Sequence, residues 1–300
     1  MADPGVHAIV SEQRHLLNLA YRLLGSLADA EDVLQETYAR WYALSPDQRD
    51  TIESPGAWLT RVAGRICLDV LGSARARRER YVGEWIPEPL PDREEWGGGP
   101  DPADRVTLDE SVTMAFLVVL EQMTPAERVS FVLHDVYRFP FAEVADIVGR
   151  SPAACRQLAT SARRRIRASR RDEIPAARQA DVVRDFKQAW EAQDIQALIA
   201  LLDPAAIMIA DGGGQVGTVL KPVAGREQIA RYVIGIAKIA PDLTILARTV
   251  NGRPGLVATR DDVAVTVAAF EVENDQITRI WAMRNPEKLK PWRTAGQDQD

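Results

Sequence analysis

Residues 124–170 read TPAERVSFVLHDVYRFPFAEVADIVGRSPAACRQLATSARRRIRASR, and this stretch decides the fold class of the first half of the chain. Thr124 suits a helix N-cap, Pro125 the first helical position, and Glu127 closes a capping box. The pattern predicts a helix over Glu127 to Val136 and a second over Phe141 to Val148. Gly149 then supplies a turn, and Ser151-Pro152 opens a longer helix running to about Arg170. A short helix, a glycine-containing turn and a long basic helix make a helix-turn-helix pattern. From Gly149 to Arg171 there are eight arginines and no acid. Such a helix offers its first residues to base edges and its flanking cations to phosphates. Ser151, Ala153, Ala154, Arg156 and Gln157 take the base-facing positions, with Arg156 suited to guanine and Gln157 to adenine. Arg163, Arg164, Arg165 and Arg167 suit phosphate. The bland alternative is a solvated basic helix face.

Immediately upstream the charge inverts: Glu79 to Glu110 holds ten acids against three arginines. Pro87, Pro89, Pro91, Pro100 and Pro102 with Gly97 to Gly99 predict a linker over 81–106 that neither continues a helix nor builds a core. The net charge of −6 over 300 residues conceals this contrast, and all five lysines lie at or after Lys187. A basic helix suits nucleic acid, whereas an acidic linker suits a basic channel. The 46% hydrophobic content is enough for two or three small cores, so several domains are expected. No 18-residue apolar run occurs, and MADPGVHAIVSEQ lacks the layout of a signal peptide, which predicts a cytoplasmic chain with no membrane partner. Cys67 and Cys155 lack metal or disulfide spacing and are expected to be buried thiols; no metal and no cofactor is predicted.

Residues 8–78 are helix-rich. In DAEDVLQETYARWY (29–42), Ala30, Val33, Leu34, Thr37, Tyr38 and Trp41 follow helical spacing, with Ser26 and Asp29 as a start signal. The opposite face carries Asp29, Glu31, Asp32 and Glu36. After a break at Ser45-Pro46 and Ser54-Pro55, AWLTRVAGRICLDVL places Trp58, Val62, Ile66 and Leu68 or Asp69 near one side and leads into SARARRER. Trp41, Tyr42 and Trp58 admit two readings. They are core, or Trp58 stacks on a displaced DNA strand that Arg61, Arg65, Arg75, Arg77 and Arg78 neutralise. A helix resumes near Thr107 to Gln122.

From about Arg178 the character changes. DVVRDFKQAWEAQDIQALIALL (181–202) is helical, and strands are predicted at Ala206–Ala210, Thr244–Val250, Leu256–Thr259, Val263–Val272 and Gln276–Met283. This is an α+β arrangement with antiparallel-looking strands. Asp211-Gly-Gly-Gly-Gln215 lacks the Lys-Ser/Thr of a phosphate loop and reads as a tight turn at a domain interface. This part has no histidine, which leaves Asp211, Asp261 and Asp262 as acid/base candidates, with exposed turns the default reading.

These segments carry a resemblance. SLADAEDVLQETYARWY (26–42) resembles regions 2.1 to 2.2 of extracytoplasmic-function RNA polymerase sigma factors. SPGAWLTRVAGRICLDVLGSARARRER (54–80) resembles their regions 2.3 to 2.4, and 123–170 their region 4. WIPEP (85–89), DGGGQ (211–215) and NPEKL (285–289) resemble a subgroup with a fused C-terminal SnoaL-like domain. The resemblance implies a sigma region 2 helical domain at 8–80, an acidic linker at 81–106, a region 4 helix-turn-helix domain at 107–171 and a cone-shaped SnoaL-like α+β domain at 178–290. It implies that Asp29, Glu31, Asp32 and Glu36 bind core RNA polymerase. It also implies that Trp58, Arg61, Arg65, Arg75, Arg77 and Arg78 meet the −10 element of promoter DNA, and that the helix after Ser151 meets the −35 element. Many members carry Asn where this chain has Arg65, and subgroup members usually carry Lys where it has Gln215. Trp85, Pro87, Asp211, Gly212, Gly213, Gly214, Asn285 and Pro286 are implied to serve interdomain regulation in cis. No enzymatic activity is expected; an apolar pocket for an unknown small ligand is compatible with the C-terminal fold. The rival is a ligand-sensing helix-turn-helix regulator that acts without polymerase, and a third reading is a SnoaL-like enzyme with an incidental DNA-binding module.

Overall fold

The computed structural model describes residues 4–78, 81–92, 112–169 and 174–293, with side chains described from residue 12 and, in the helix ending at 78, as far as 73. They form two compact units, one of residues 4–78 and 116–169, the other of 81–92, 112–115 and 174–293.

In the first unit, α1 (Pro4–Leu24), α2 (Leu27–Ala43), α3 (Pro46–Asp50) and α4 (Pro55–Arg78) come first. Leu16, Leu17, Ala20 and Leu23 of α1, Ala30, Val33, Leu34 and Trp41 of α2, and Leu59, Ala63, Ile66 and Cys67 of α4 are buried. Each leucine withdrawn from water in such a core contributes about 1.5–3 kcal/mol. The Ser26 hydroxyl caps α2 by accepting from the Asp29 amide at 3.2 Å. Ser45-Pro46, read as a break, instead starts the short helix α3 with a complete capping box between Ser45 and Gln48. Asp69 is exposed, so the buried stripe of α4 runs through Leu59, Ala63, Ile66 and Leu71.

The same unit holds α5 (Met114–Glu121) from residue 116 onward, α6 (Pro125–Phe131), a π turn over Val132–Val136, α7 (Phe141–Val148) and α8 (Pro152–Ser169). The Glu127 carboxylate accepts from the Thr124 amide at 3.0 Å and the Glu127 amide donates to the Thr124 hydroxyl at 3.3 Å, the capping box expected at α6. Gly149 ends α7 in the left-handed region at φ 69°. Cys155, Ala159 and Ala162 seat α8 on the core made by Val129, Val144 and Ile147. Both cysteines are buried free thiols.

The second unit is an α+β domain with α9 (Ala176–Glu191), α10 (Ile195–Leu201), β1 (Leu202–Asp211), β2 (Val223–Ala224), α11 (Arg226–Ile239), β3 (Thr244–Val250), β4 (Arg253–Arg260), β5 (Val263–Glu273), β6 (Gln276–Met283) and a 3-10 turn over Pro286–Trp292. The sheet order is β2-β1-β6-β5-β4-β3. Val182 and Phe186 of α9, Leu198 of α10, and Ile229 and Val233 of α11 share one core with Met208, Ile245, Leu256, Phe270 and Ile280 of the sheet. The strands β3 to β6 form a meander whose turns are Asn251-Gly252, Asp261-Asp262 and Asn274-Asp275, every one of these six residues at positive φ. Those are the residue types that tolerate the two left-handed positions of a two-residue hairpin.

Three expectations are corrected here. The strands are not all antiparallel, because β1 pairs with β6 in parallel. The helix α11 and the short strand β2 were not anticipated. The stretch 86–91, read as a linker without a core, is buried throughout. Its apolar residues Ile86 and Leu90 supply what the proline count concealed.

Candidate functional site

On α8 the Ser151 hydroxyl accepts from the Ala154 amide at 3.2 Å, which fixes the first turn. Ser151, Ala153, Arg156, Gln157 and Arg164 are exposed, while Ala154 is half-buried. Thr160, one turn beyond Arg156, is exposed on the same face and donates its hydroxyl proton to the Arg156 carbonyl at 2.8 Å. Arg163 does not offer a free phosphate-binding cation in this arrangement. Its guanidinium is paired with Asp135 at 2.6 Å, because α8 lies across the π turn that carries the acid.

The helix is also tied at Glu127, whose carboxylate accepts from the Ser161 hydroxyl at 2.7 Å. Burial of Glu127 works against its ionisation. The hydrogen bonds from Ser161 and Thr124, with the Arg165 charge, outweigh burial and hold the carboxyl below its usual range. Glu127→Ala is expected to lower stability by about 1–2 kcal/mol, as for the loss of a helix cap with an added bond. A carboxyl with a depressed folded pKa stabilises fully above its unfolded pKa and loses that contribution as pH falls through the folded value. Thermal melts of variant and parent should therefore converge below the usual carboxylate range.

On α2, Asp32 and Glu36 are exposed, and Asp29 and Glu31 half-buried. Glu36 pairs with Arg40 at 2.8 Å, a solvated i, i+4 pair of small energetic weight. Trp58 packs edge-on against Trp41 at 5.3 Å, consistent with the core reading, and Tyr42 is exposed. Arg61 is exposed. Arg75, Arg77 and Arg78 lie in α4, beyond the residues whose side chains are described.

Arg65, read as a DNA-neutralising group, donates through Nη1 to the Ile147 carbonyl at 2.9 Å. Ile147 lies in the last turn of α7, where carbonyls lack helical partners and the dipole favours a cation. Its neighbour Gly64 permits the approach: a Cβ there would sit 3.2 Å from Ile147 Cγ2. Two further arginines join the same helical sets. Arg22 donates to the Tyr137 hydroxyl at 3.1 Å, and the buried Arg128 donates to the Leu23 carbonyl at 2.9 Å and to Glu121 at 2.6 Å.

In the second unit the glycine-rich turn, the end of β6 and residues 81–92 converge on Asp211, which is fully buried. Asp211 Oδ1 accepts from the Tyr81 hydroxyl at 2.7 Å and the Gly213 amide at 3.0 Å. Its Oδ2 accepts from the Ile86 amide at 3.0 Å and from Lys288 Nζ at 2.7 Å. Lys288 also donates to the Ile86 carbonyl at 2.6 Å and lies 4.0 Å from the centre of the Trp85 ring. Asn285 donates to the Tyr81 hydroxyl at 2.8 Å and caps the Glu287 amide at 3.1 Å. Burial and the Asp211 carboxylate push the Tyr81 phenol well above its ordinary pKa. Gly213 has φ 63°, and a Cβ there would lie 2.5 Å from Asn285 Nδ2, so only glycine closes the turn. Gly212 and Gly214 lie against Val216 and Val82, Pro87 is buried and Pro286 opens the 3-10 turn. The Trp292 indole donates to the Pro89 carbonyl at 2.8 Å.

Asn251 completes this seam. Fully buried, it donates from its backbone to Leu90 O at 2.9 Å, accepts from the Leu90 amide at 3.0 Å and donates from Nδ2 to Val112 O at 2.8 Å. Tyr81, Lys288, Asn251 and Trp292 were absent from the sequence-predicted set. Lys288 stood inside NPEKL, whereas Asn251 was visible only as a turn residue.

Asp261 and Asp262 lie in an exposed hairpin turn. A pocket of about 190 Å³ is lined by Trp190, Glu191, Gln193, Ala237, Pro241, Leu243 and Ile245, and its acid Glu191 is paired with Lys187 at 2.7 Å. Among the described residues no helix is long and apolar enough to cross a membrane, and no His, Cys, Asp and Glu cluster could hold a metal.

Residues 8–78 match Sigma-70 region 2 and residues 113–166 match Sigma-70, region 4. The ECF RNA polymerase sigma factor SigJ of Mycobacterium tuberculosis is 37% identical over 293 residues, covering 92% of this chain and 90% of the relative. The probable ECF RNA polymerase sigma factor SigI of the same species is 34% identical over 294 residues, covering 97% of each. The crystal structure of the Mycobacterium tuberculosis SigJ superposes with a TM-score of 0.76 at 32% identity, covering 95% of this chain and 98% of that one. With both sigma regions matched and the likeness extending through the C-terminal domain, the chain belongs to the extracytoplasmic-function family of RNA polymerase sigma factors.

Proposed function

We propose that this chain directs core RNA polymerase to its own promoters and that the C-terminal domain governs, in cis, how far its two promoter-reading parts can separate. The acidic face of α2 with Asp32 and Glu36 outermost docks on polymerase, α4 meets the −10 element and α8 meets the −35 element. Those elements lie roughly 25 base pairs apart, hence about 85 Å along B-DNA. In the first unit, by contrast, α4 and α7 touch through Arg65 and Gly64, so initiation requires them to part. The chain between α4 and α5 covers residues 79–113. Fully extended, such a length reaches about 120 Å.

The observation that carries the regulatory reading is Asn251, which holds both Leu90 and Val112 and so brings two distant points of this connection to one residue. Held in this way, the connection spends most of its length inside a closed ring. Released, it regains the reach that promoter binding needs. The C-terminal domain acts as a structural regulator rather than a catalyst: the carboxylate of Asp211 is committed to four donors. A small apolar ligand would find its place in the pocket beside Trp190, and the protein works in the cytoplasm with polymerase and DNA.

Run-off transcription with purified core polymerase tests the reading. Full-length protein should support specific initiation, and Asn251→Ala should raise the yield per folded molecule several-fold by freeing the connection. Absence of specific initiation by both the full chain and a truncation ending at Arg171 would sink the sigma reading. An unchanged yield for a folded Asn251→Ala protein would remove the regulatory part.

A further inference from the structure

We propose that Phe141, backed by His134, is a positioning residue for sequence readout: it holds the Arg156 guanidinium in the orientation that reads a guanine. The inference rests on α8 being the reader of the upstream promoter element and names how that reading is made selective. Arg156 leaves the second turn of α8 with its guanidinium carbon 5.3 Å from the centre of the Phe141 ring. On Phe141 the His134 ring is stacked at 3.7 Å with an interplanar angle of 24°. His134 is fixed in turn by its Nδ1, which donates to the Phe139 carbonyl at 2.8 Å. Three successive elements, the π turn, α7 and α8, therefore each contribute one member of a stack that ends at an exposed cation.

Two of the other four arginines of α8 provide the contrast. Arg163 is paired with Asp135, and Arg165 lies 4.0 Å from Glu127. Among the described residues no acid competes for Arg156. An aromatic face attracts a guanidinium without occupying its N–H groups, so the donors stay available. A planar fork held against a ring also loses less side-chain freedom when it closes on guanine O6 and N7 than a freely rotating one. An arginine that served only as a phosphate counter-charge would gain little from such orientation, because a point charge is read in any direction.

The test uses the full-length protein assembled with core polymerase and a DNA duplex library randomised across the upstream promoter element, with enriched sequences counted. Wild type should enrich guanine at one position, and Arg156→Ala should lose that guanine. Phe141→Leu is expected to weaken the same enrichment by about two- to fivefold, the size of an exposed cation–π contact. Other positions and the salt dependence should stay unchanged, since phosphate contacts are untouched. Phe141→Tyr should restore the guanine, and in the Arg156→Ala background Phe141→Leu should add nothing. Should the leucine variant fail to fold, His134→Ala removes only the backing ring and is expected to give a smaller loss confined to that position. An even loss at all positions, or an unchanged profile in either variant, overturns the proposal. A wild-type holoenzyme that enriches no sequence would instead overturn the reading of α8 itself, and the proposal with it.

Discussion

Asp211→Ala is expected to free residues 81–92 from the C-terminal domain and to cost about 3–5 kcal/mol, the penalty for removing one partner of a buried ion pair. Four donors lose their acceptor at once: the Tyr81 hydroxyl, the Gly213 and Ile86 amides and the Lys288 ammonium. The ammonium weighs most, because a charge left inside a protein without its counter-ion is costly. Urea unfolding of the full chain gives the stability, and protease cleavage within 81–92 reports release. Asp211→Leu combined with Lys288→Met should recover part of the loss, since an apolar pair of similar volume avoids the stranded charge. If the double variant is as unstable as Asp211→Ala, the pair is not what holds the seam.

Arg128→Ala is expected to have the second largest effect, about 3 kcal/mol, through the loss of buried charge-assisted hydrogen bonds. Arg128 is 2% exposed and joins the C-terminal turn of α1, through Leu23 O, to α6, with Glu121 as its counter-ion. Its removal should loosen the two helical parts from each other before either melts. Hydrogen exchange should then quicken first at the α1 and α6 contact, with α8 protected until global unfolding. Uniform exchange through all the helices would mean that Arg128 stabilises the unit as one cooperative whole and does not join two separable parts.

The helical half was legible because its signals are local. Thr124, Pro125 and Glu127 announce α6, and Gly149 and Ser151 frame the turn before α8, all within a few residues of what they control. The strand positions were readable from β-branched runs between Asn and Asp turns. What escaped depended on partners distant in sequence. The ties of Arg65 to the Ile147 carbonyl and of Arg163 to Asp135 show only once those partners are placed beside them. Residues 86–91 look like a solvated linker until Asp211, Asn251 and Trp292 arrive from more than 120 positions away. The parallel pairing of β1 with β6 depends on the crossover through α11, whose apolar Ile229, Ala230, Val233 and Ile234 are spaced as one helical face but lie between two turn-rich stretches.

Asn251 fastens residue 90 to residue 112 in the manner of a non-covalent buckle. The entropic cost of closing such a ring rises only with the logarithm of its length, so even a doubling would add about 0.6 kcal/mol. The buckle is therefore demanding about the identity of one asparagine and nearly indifferent to how much chain it encloses.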